Sequence, residues 1–124
     1  MSVQATIAVI DDDPEMRASL SRLLSAHGFR VKTFDAAETF LVGATRCTAA
    51  CLILDIQLPD ISGIELAHQL AADGLAFPML FMTGNHDAAI AQKAIAAGGA
   101  ACLRKPFSSE ELMNQLNVVL GRSR

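Results

Sequence analysis

Thr6-Ile7-Ala8-Val9-Ile10-Asp11-Asp12-Asp13-Pro14 is the stretch that decides how this chain folds. Five strand-forming residues, four of them β-branched, stop abruptly at three acids, and a proline follows. A short run of this kind is consistent with a strand buried on both faces of a parallel sheet. Proline suits the first position of a helix, where its missing N–H costs nothing, and Asp13 before it suits the N-cap. The stretch therefore reads as strand, acidic edge, helix.

The same pattern recurs along the chain. Cys51-Leu52-Ile53-Leu54 runs into Asp55, Met79-Leu80-Phe81-Met82 into Thr83, and Ala101-Cys102-Leu103 into Arg104-Lys105-Pro106. The first helix carries Met16, Leu20, Leu23 and Leu24 at helical spacing and stops at Gly28. Residues 30–34 alternate as a second strand, and 36–42 read as a short helix ending at Gly43. After the turn-rich residues 58–63 a helix carries Leu66 and Leu70 up to Gly74, and Pro78 opens the fourth strand. Residues 87–97 predict a helix with Ile90 and Ile95, closed by Gly98-Gly99. Ser108 and Glu111 form a capping box for the last helix, with Leu112, Met113, Leu116 and Val119 turned inward. Five repeats of strand then helix predict an α/β, doubly wound parallel sheet.

Composition narrows the class. Hydrophobic residues are 52% of the 124, more than a disordered chain carries and enough for one compact core. No apolar run approaches the ~20 residues that span a bilayer, so no membrane partner is expected. Residues 1–5 lack the basic start of a secretory leader, which points to a cytoplasmic protein. A net charge of −3 argues against direct nucleic acid binding by this segment. Cys47, Cys51 and Cys102 are odd in number, lack zinc-ligand spacing and read as reduced thiols.

In a parallel sheet the carboxyl ends of the strands form the ligand crevice. Here that edge collects Asp11, Asp12, Asp55, the Thr83 hydroxyl and the Lys105 ammonium. Like charges about 5 Å apart repel by ~3 kcal/mol at an effective dielectric near 20. Acids at this density therefore predict a divalent cation beside a reactive carboxylate. A carboxylate can attack a phosphoryl group to give an acyl phosphate, and such transfer needs mainly positioning and charge neutralisation. Magnesium held by the acids supplies one centre of positive charge, and Lys105, from the opposite side, supplies another. Thr83 offers a donor to a phosphoryl oxygen.

On these residues the chain resembles the receiver domain of two-component response regulators, over residues 7–120. The markers are Asp11-Asp12 after the first strand and Asp55-x-x-x-Pro59-x-x-x-Gly63 after the third. Thr83-Gly84 after the fourth and Lys105-Pro106-Phe107 after the fifth complete the set. The resemblance implies a flavodoxin-like five-stranded sheet of order 2-1-3-4-5 with helices on both faces. It implies Asp55 as phosphoacceptor, Asp12 and Asp55 as Mg2+ ligands, Asp11 acting through a metal-bound water, and the Gln57 backbone carbonyl as a further ligand. It also implies that Thr83 turns towards the phosphate and that the Lys105–Pro106 bond is cis. The implied partners are a sensor histidine kinase and a second copy of the chain, bound through the fourth helix, fifth strand and fifth helix. The protein would be a switch that accelerates its own phosphorylation and dephosphorylation, not a metabolic enzyme. Residues 83–87 and 105–107 are most similar to receivers joined to helix-turn-helix transcription domains. Residues 1–124 are thus expected to be one receiver domain, the N-terminal part of a longer regulator in preference to a stand-alone one.

Three other readings compete with this one. A phosphatase of the haloacid-dehalogenase type would want a second acid where Gln57 stands. A degenerate receiver acting only as a binding module would not need the full set of acids, threonine and lysine. Flavodoxin-like cofactor binding is disfavoured, because no phosphate loop follows the first strand. Asp13 and Asp60 read as cap or turn residues, Pro59 and Gly63 as shapers of the turn. His27, His68 and His86 share no ligand spacing. One position departs from the family: Cys102 stands where receivers often carry an aromatic ring that follows the threonine inward. Ile95 and Met82 are the expected candidates to fill the space that Thr83 would vacate.

Overall fold

The computed structural model describes residues 4–121; the start read at 1–3 and the ending read at 122–124 lie outside them. The elements run β1 (Thr6–Ile10), α1 (Pro14–Ala26), β2 (Arg30–Phe34), α2 (Ala37–Leu41), a 3-10 turn (Ala44–Arg46) and β3 (Cys51–Asp55). They continue with α3 (Gly63–Ala72), β4 (Met79–Thr83), α4 (Ala88–Ala96), β5 (Gly99–Arg104) and α5 (Ser109–Val119). All strand pairs are parallel, in the order β2-β1-β3-β4-β5. The doubly wound sheet expected from sequence is the sheet observed.

The helix starts follow from local chemistry. Asp13 accepts from the Glu15 N–H at 2.9 Å as N-cap of α1, with Pro14 beginning the helix. Ser108 and Glu111 form the expected capping box of α5, and Ser62 with Glu65 forms a second one on α3. Several boundaries differ from expectation: α2 is one residue shorter at each end than the expected 36–42, and α4 ends at Ala96, not at 97. Asp87 caps α4 and does not belong to it, and Gly99 opens β5 instead of ending the helix before it.

Because side chains alternate along a strand, the central strands feed two cores. Ile7, Val9, Cys51, Ile53, Leu80 and Met82 pack with Leu20 and Leu24 of α1 and Leu112 and Leu116 of α5. Ala8, Ile10, Leu52, Leu54 and Phe81 face the other way, against Phe40, Leu66, Leu70 and Ala94 of α2, α3 and α4. Each large side chain so buried contributes about 1.5–3 kcal/mol. Cys102 packs on the second of these cores, Met82 within the first. Met82 therefore lies across the sheet from Cys102 and cannot fill space beside it; of the two expected candidates only Ile95, which lines a groove of about 460 Å³ with Cys102, is on the right face.

Chain order fixes where the strand ends meet. β1 lies between β2 and β3, so the crossovers leave it in opposite directions and part at the carboxyl edge. Register aligns Ile10 with Leu54, Asp55 with Met82 and Thr83 with Arg104. Asp11, Asp55, Thr83 and Lys105 thus emerge at that one edge. Among the described residues, no helix is long and apolar enough to cross a membrane.

Candidate functional site

The edge holds three buried polar side chains, Asp11, Asp55 and Thr83, at 0%, 5% and 1% exposure. Burying carboxylates is costly unless they are paired, and here both share one ammonium. Lys105 Nζ donates to Asp11 Oδ2 and to Asp55 Oδ2, each at 2.8 Å. The sequence reading placed Lys105 opposite the acid pair; it sits instead between Asp11 and Asp55. Lys105 follows β5 and precedes a cis bond to Pro106, as the resemblance implied.

The other bonds hold the acids in place. The Asp13 N–H donates to Asp11 Oδ1 at 2.9 Å, and Arg17 donates to the Asp11 carbonyl at 2.8 Å. The Gln57 N–H donates to Asp55 Oδ1 at 3.0 Å. Burial raises the Asp55 carboxyl above its ordinary range, against the Lys105 and Gln57 hydrogen bonds that favour the charged form. Burial alone would lower Lys105, but its bonds to Asp11 and Asp55 win and hold the ammonium above its usual value.

Asp11, Asp12 and Asp55 each offer an oxygen, all within 4.8 Å of one another. Two of these acids are buried and Asp12 is exposed, so the cluster is anchored inside and open outside. Carboxylate oxygens grouped in this way are the donors that hard divalent cations take. The residues present therefore fit magnesium. It is the one such cluster of histidine, cysteine and acid side chains among the described residues, and none of His27, His68 and His86 joins it.

The Thr83 hydroxyl donates to Gln57 Oε1 at 3.3 Å and accepts from the Asn85 N–H at 3.0 Å. Gly63 closes the loop after β3: its N–H donates to the Ile56 carbonyl at 2.9 Å, and a Cβ there would run into the Asp55 carbonyl. Glycine is needed because α3 starts against the back of Asp55.

Several participants escaped the sequence reading. Arg17 left a signal: a cation in the first turn of a helix opposes the dipole and calls for a partner, which the Asp11 carbonyl supplies. The Gln57 side chain left only a weak one: an uncharged residue stands where a phosphatase would want an acid, and nothing local pairs it with Thr83, 26 residues away. Asp60 is a cap, as expected, but for α2: it accepts from the Ala37 and Glu38 N–H groups at 3.3 and 2.8 Å, 23 and 22 residues away. Desolvation alone would raise its carboxyl, but the backbone hydrogen bonds, Glu38 first, together outweigh it and hold the carboxyl below the usual range.

Residues 7–117 match the family model described as the response regulator receiver domain. Among curated proteins, the transcriptional regulatory protein FixJ of Bradyrhizobium diazoefficiens is 39% identical over 123 residues, covering 99% of this chain and 60% of FixJ. Response regulator protein TmoT of Ectopseudomonas mendocina is 36% identical over 117 residues, covering 94% of this chain and 53% of TmoT. The chain thus spans little more than half the length of the curated relatives it matches. Among solved structures, the FixJ-N crystal structure superposes with a TM-score of 0.89 at 29% identity, covering 99% of this chain and 98% of that one. The BeF3-activated DrrB receiver domain gives 0.86 at 30% identity, over 97% of this chain and all of that one (100%).

Proposed function

The chain belongs to the response regulator receiver domain family, and from that premise we propose that Asp55 is the residue on which it is phosphorylated. The observation that carries this reading is the Lys105 ammonium shared by two buried acids, Asp11 and Asp55, at 2.8 Å each. A receiver that had lost its chemistry and kept only a binding face would gain nothing from burying this set.

Asp55 offers a carboxylate oxygen to the phosphorus of a phosphohistidine on a sensor kinase. The new O–P bond forms as the P–N bond breaks, and the imidazole leaves with that electron pair. Asp11, Asp12, Asp55 and the Gln57 backbone carbonyl would hold Mg2+. When bound, the ion neutralises charge that builds on the equatorial phosphoryl oxygens. Lys105 neutralises charge from its place beside Asp55 and can follow the incoming oxygens, because an ammonium on a flexible stem binds as a point charge. Thr83 donates its hydroxyl to a phosphoryl oxygen. Hydrolysis of the aspartyl phosphate restores the carboxylate, so the chain's own chemistry is confined to loading and unloading its switch.

The output face is α4, β5 and α5. Ile95 on α4 and Val118 on α5 are 47% and 74% exposed, and the groove lined by Ile95 and Cys102 lies there. This face would bind a second copy of the chain in the phosphorylated state, in a cytoplasmic protein whose further segments carry the transcriptional output.

Incubation with acetyl phosphate and Mg2+ should add one hydroxylamine-sensitive phosphoryl group per chain. Asp55→Asn should abolish it, and EDTA should suppress it in the unmodified chain. Labelling of Asp55→Asn to the same extent would remove Asp55 from the role.

A further inference from the structure

One residue holds both the candidate phosphoacceptor and the candidate switch hydroxyl. The Gln57 main chain donates to Asp55 Oδ1, and its side-chain oxygen accepts from Thr83. The direction of the second bond is set by the neighbours. Thr83 Oγ1 already accepts from the Asn85 N–H, and turning the Gln57 amide over would present a second donor to that oxygen. The buried hydroxyl hydrogen would then lose its acceptor.

A hydroxyl has one hydrogen and serves one strong acceptor at a time. For Thr83 to turn towards a phosphoryl oxygen on Asp55, the bond to Gln57 must break. We infer that the Gln57 side chain is a positioning residue: it latches Thr83 in the resting rotamer and sets the balance between resting and phosphoryl-engaged states. This rests on the reading of Asp55 as phosphoacceptor, and it concerns the equilibrium of the switch, not the chemistry at phosphorus. A phosphoryl oxygen is a charged acceptor and the stronger one, so the latch opposes activation without preventing it. At 3.3 Å the bond is long for an O–H···O contact. Its removal should shift the balance by about threefold, the lower range for a neutral hydrogen bond.

The test is a double-mutant cycle with Gln57→Leu and Thr83→Val, titrated with beryllofluoride in Mg2+. Thr83 χ1 is followed in the free protein by three-bond couplings. Gln57 is exposed, so the leucine leaves both cores intact. Gln57→Leu should bind beryllofluoride about threefold more tightly and change the Thr83 χ1 from one rotamer to an average. In the Thr83→Val background the same substitution should change nothing. Unchanged or weaker binding by Gln57→Leu, or an equal gain without the hydroxyl, overturns the latch while the phosphoacceptor reading stands. If the unmodified chain does not bind beryllofluoride, that reading falls and the latch falls with it.

Discussion

Lys105 Nζ donates to Asp11 Oδ2 at 2.8 Å across 94 residues of chain, the same distance at which it donates to Asp55 Oδ2. The lysine thus serves as a counter-ion for two carboxylates, and it sits on oxygen atoms that a divalent cation would want. Two positive charges drawn to one acid pair oppose each other.

Lys105→Ala should therefore separate stability from metal affinity. Without added metal the variant should lose about 2 kcal/mol, since a buried carboxylate pair is left without its donor. Mg2+ should bind at least as tightly as before and restore more stability to the variant than to the unmodified chain. Urea unfolding with and without MgCl2 reads both effects, and a variant that Mg2+ does not rescue would contradict a shared cation site.

Gly63 and Gly84 should behave as opposites. A Cβ at Gly63 meets the Asp55 backbone carbonyl, whereas one at Gly84 meets nothing within 4 Å. Gly63→Ala should cost about 3 kcal/mol, because neither the strand end nor the helix start can give way. Gly84→Ala should stay within ~0.5 kcal/mol of neutral. Equal denaturation midpoints for the two variants would refute the close approach of α3 to Asp55.

Alkaline stability should depend on Cys51. Burial pushes this thiol from 9.0 up to about 12. Above pH 9 the unfolded chain gives up the proton and the folded chain keeps it. The unfolded state then binds fewer protons, so stability falls as pH rises through this window, by at most ~1.4 kcal/mol per pH unit. Lys105 adds a loss in the same direction: its raised value contributes stability in full below 10.5, fading as pH climbs beyond. The chain has no tyrosine to confuse the titration. Cys51→Ala should flatten the fall in urea midpoint between pH 8 and 10, and an unchanged slope would show that the thiol is not held protonated.

Dimerisation should respond weakly to the switch. A thiol at position 102 gives little apolar area to reward either state, and coupling is a difference in free energy between states. Beryllofluoride should produce a partial shift towards dimer in sedimentation, and Cys102→Tyr should enlarge it. A complete monomer-to-dimer transition at micromolar concentration that the tyrosine leaves unaltered would make residue 102 irrelevant to output.

What the sequence determined by itself was local. Asp13, Ser108 and Glu111 cap their helices through contacts two or three residues apart, so a short window of chain contains the whole interaction. The strand ends at Asp11, Asp55, Thr83 and Lys105 were readable for a similar reason: apolar runs stop where backbone leaves the core. The alternation of strands and helices then left few topologies, and the carboxyl edge as the meeting place followed.

Tertiary structure decided which of those residues touch. The place of Lys105 between Asp11 and Asp55 depends on the reach of a side chain from the end of β5 past β4 to the ends of β3 and β1. The Asp60 cap on α2 depends on two loops meeting in space. The face shared by Thr83 and Cys102, from which Met82 is excluded, depends on strand register. Phe81 aligns with Cys102 only because an irregularity between Met79 and Leu80 displaces β5 by a residue. Side chains alternate with a period of two, so one residue of displacement reverses every assignment of face. No local pattern carries that residue; the packing of two strands sets it.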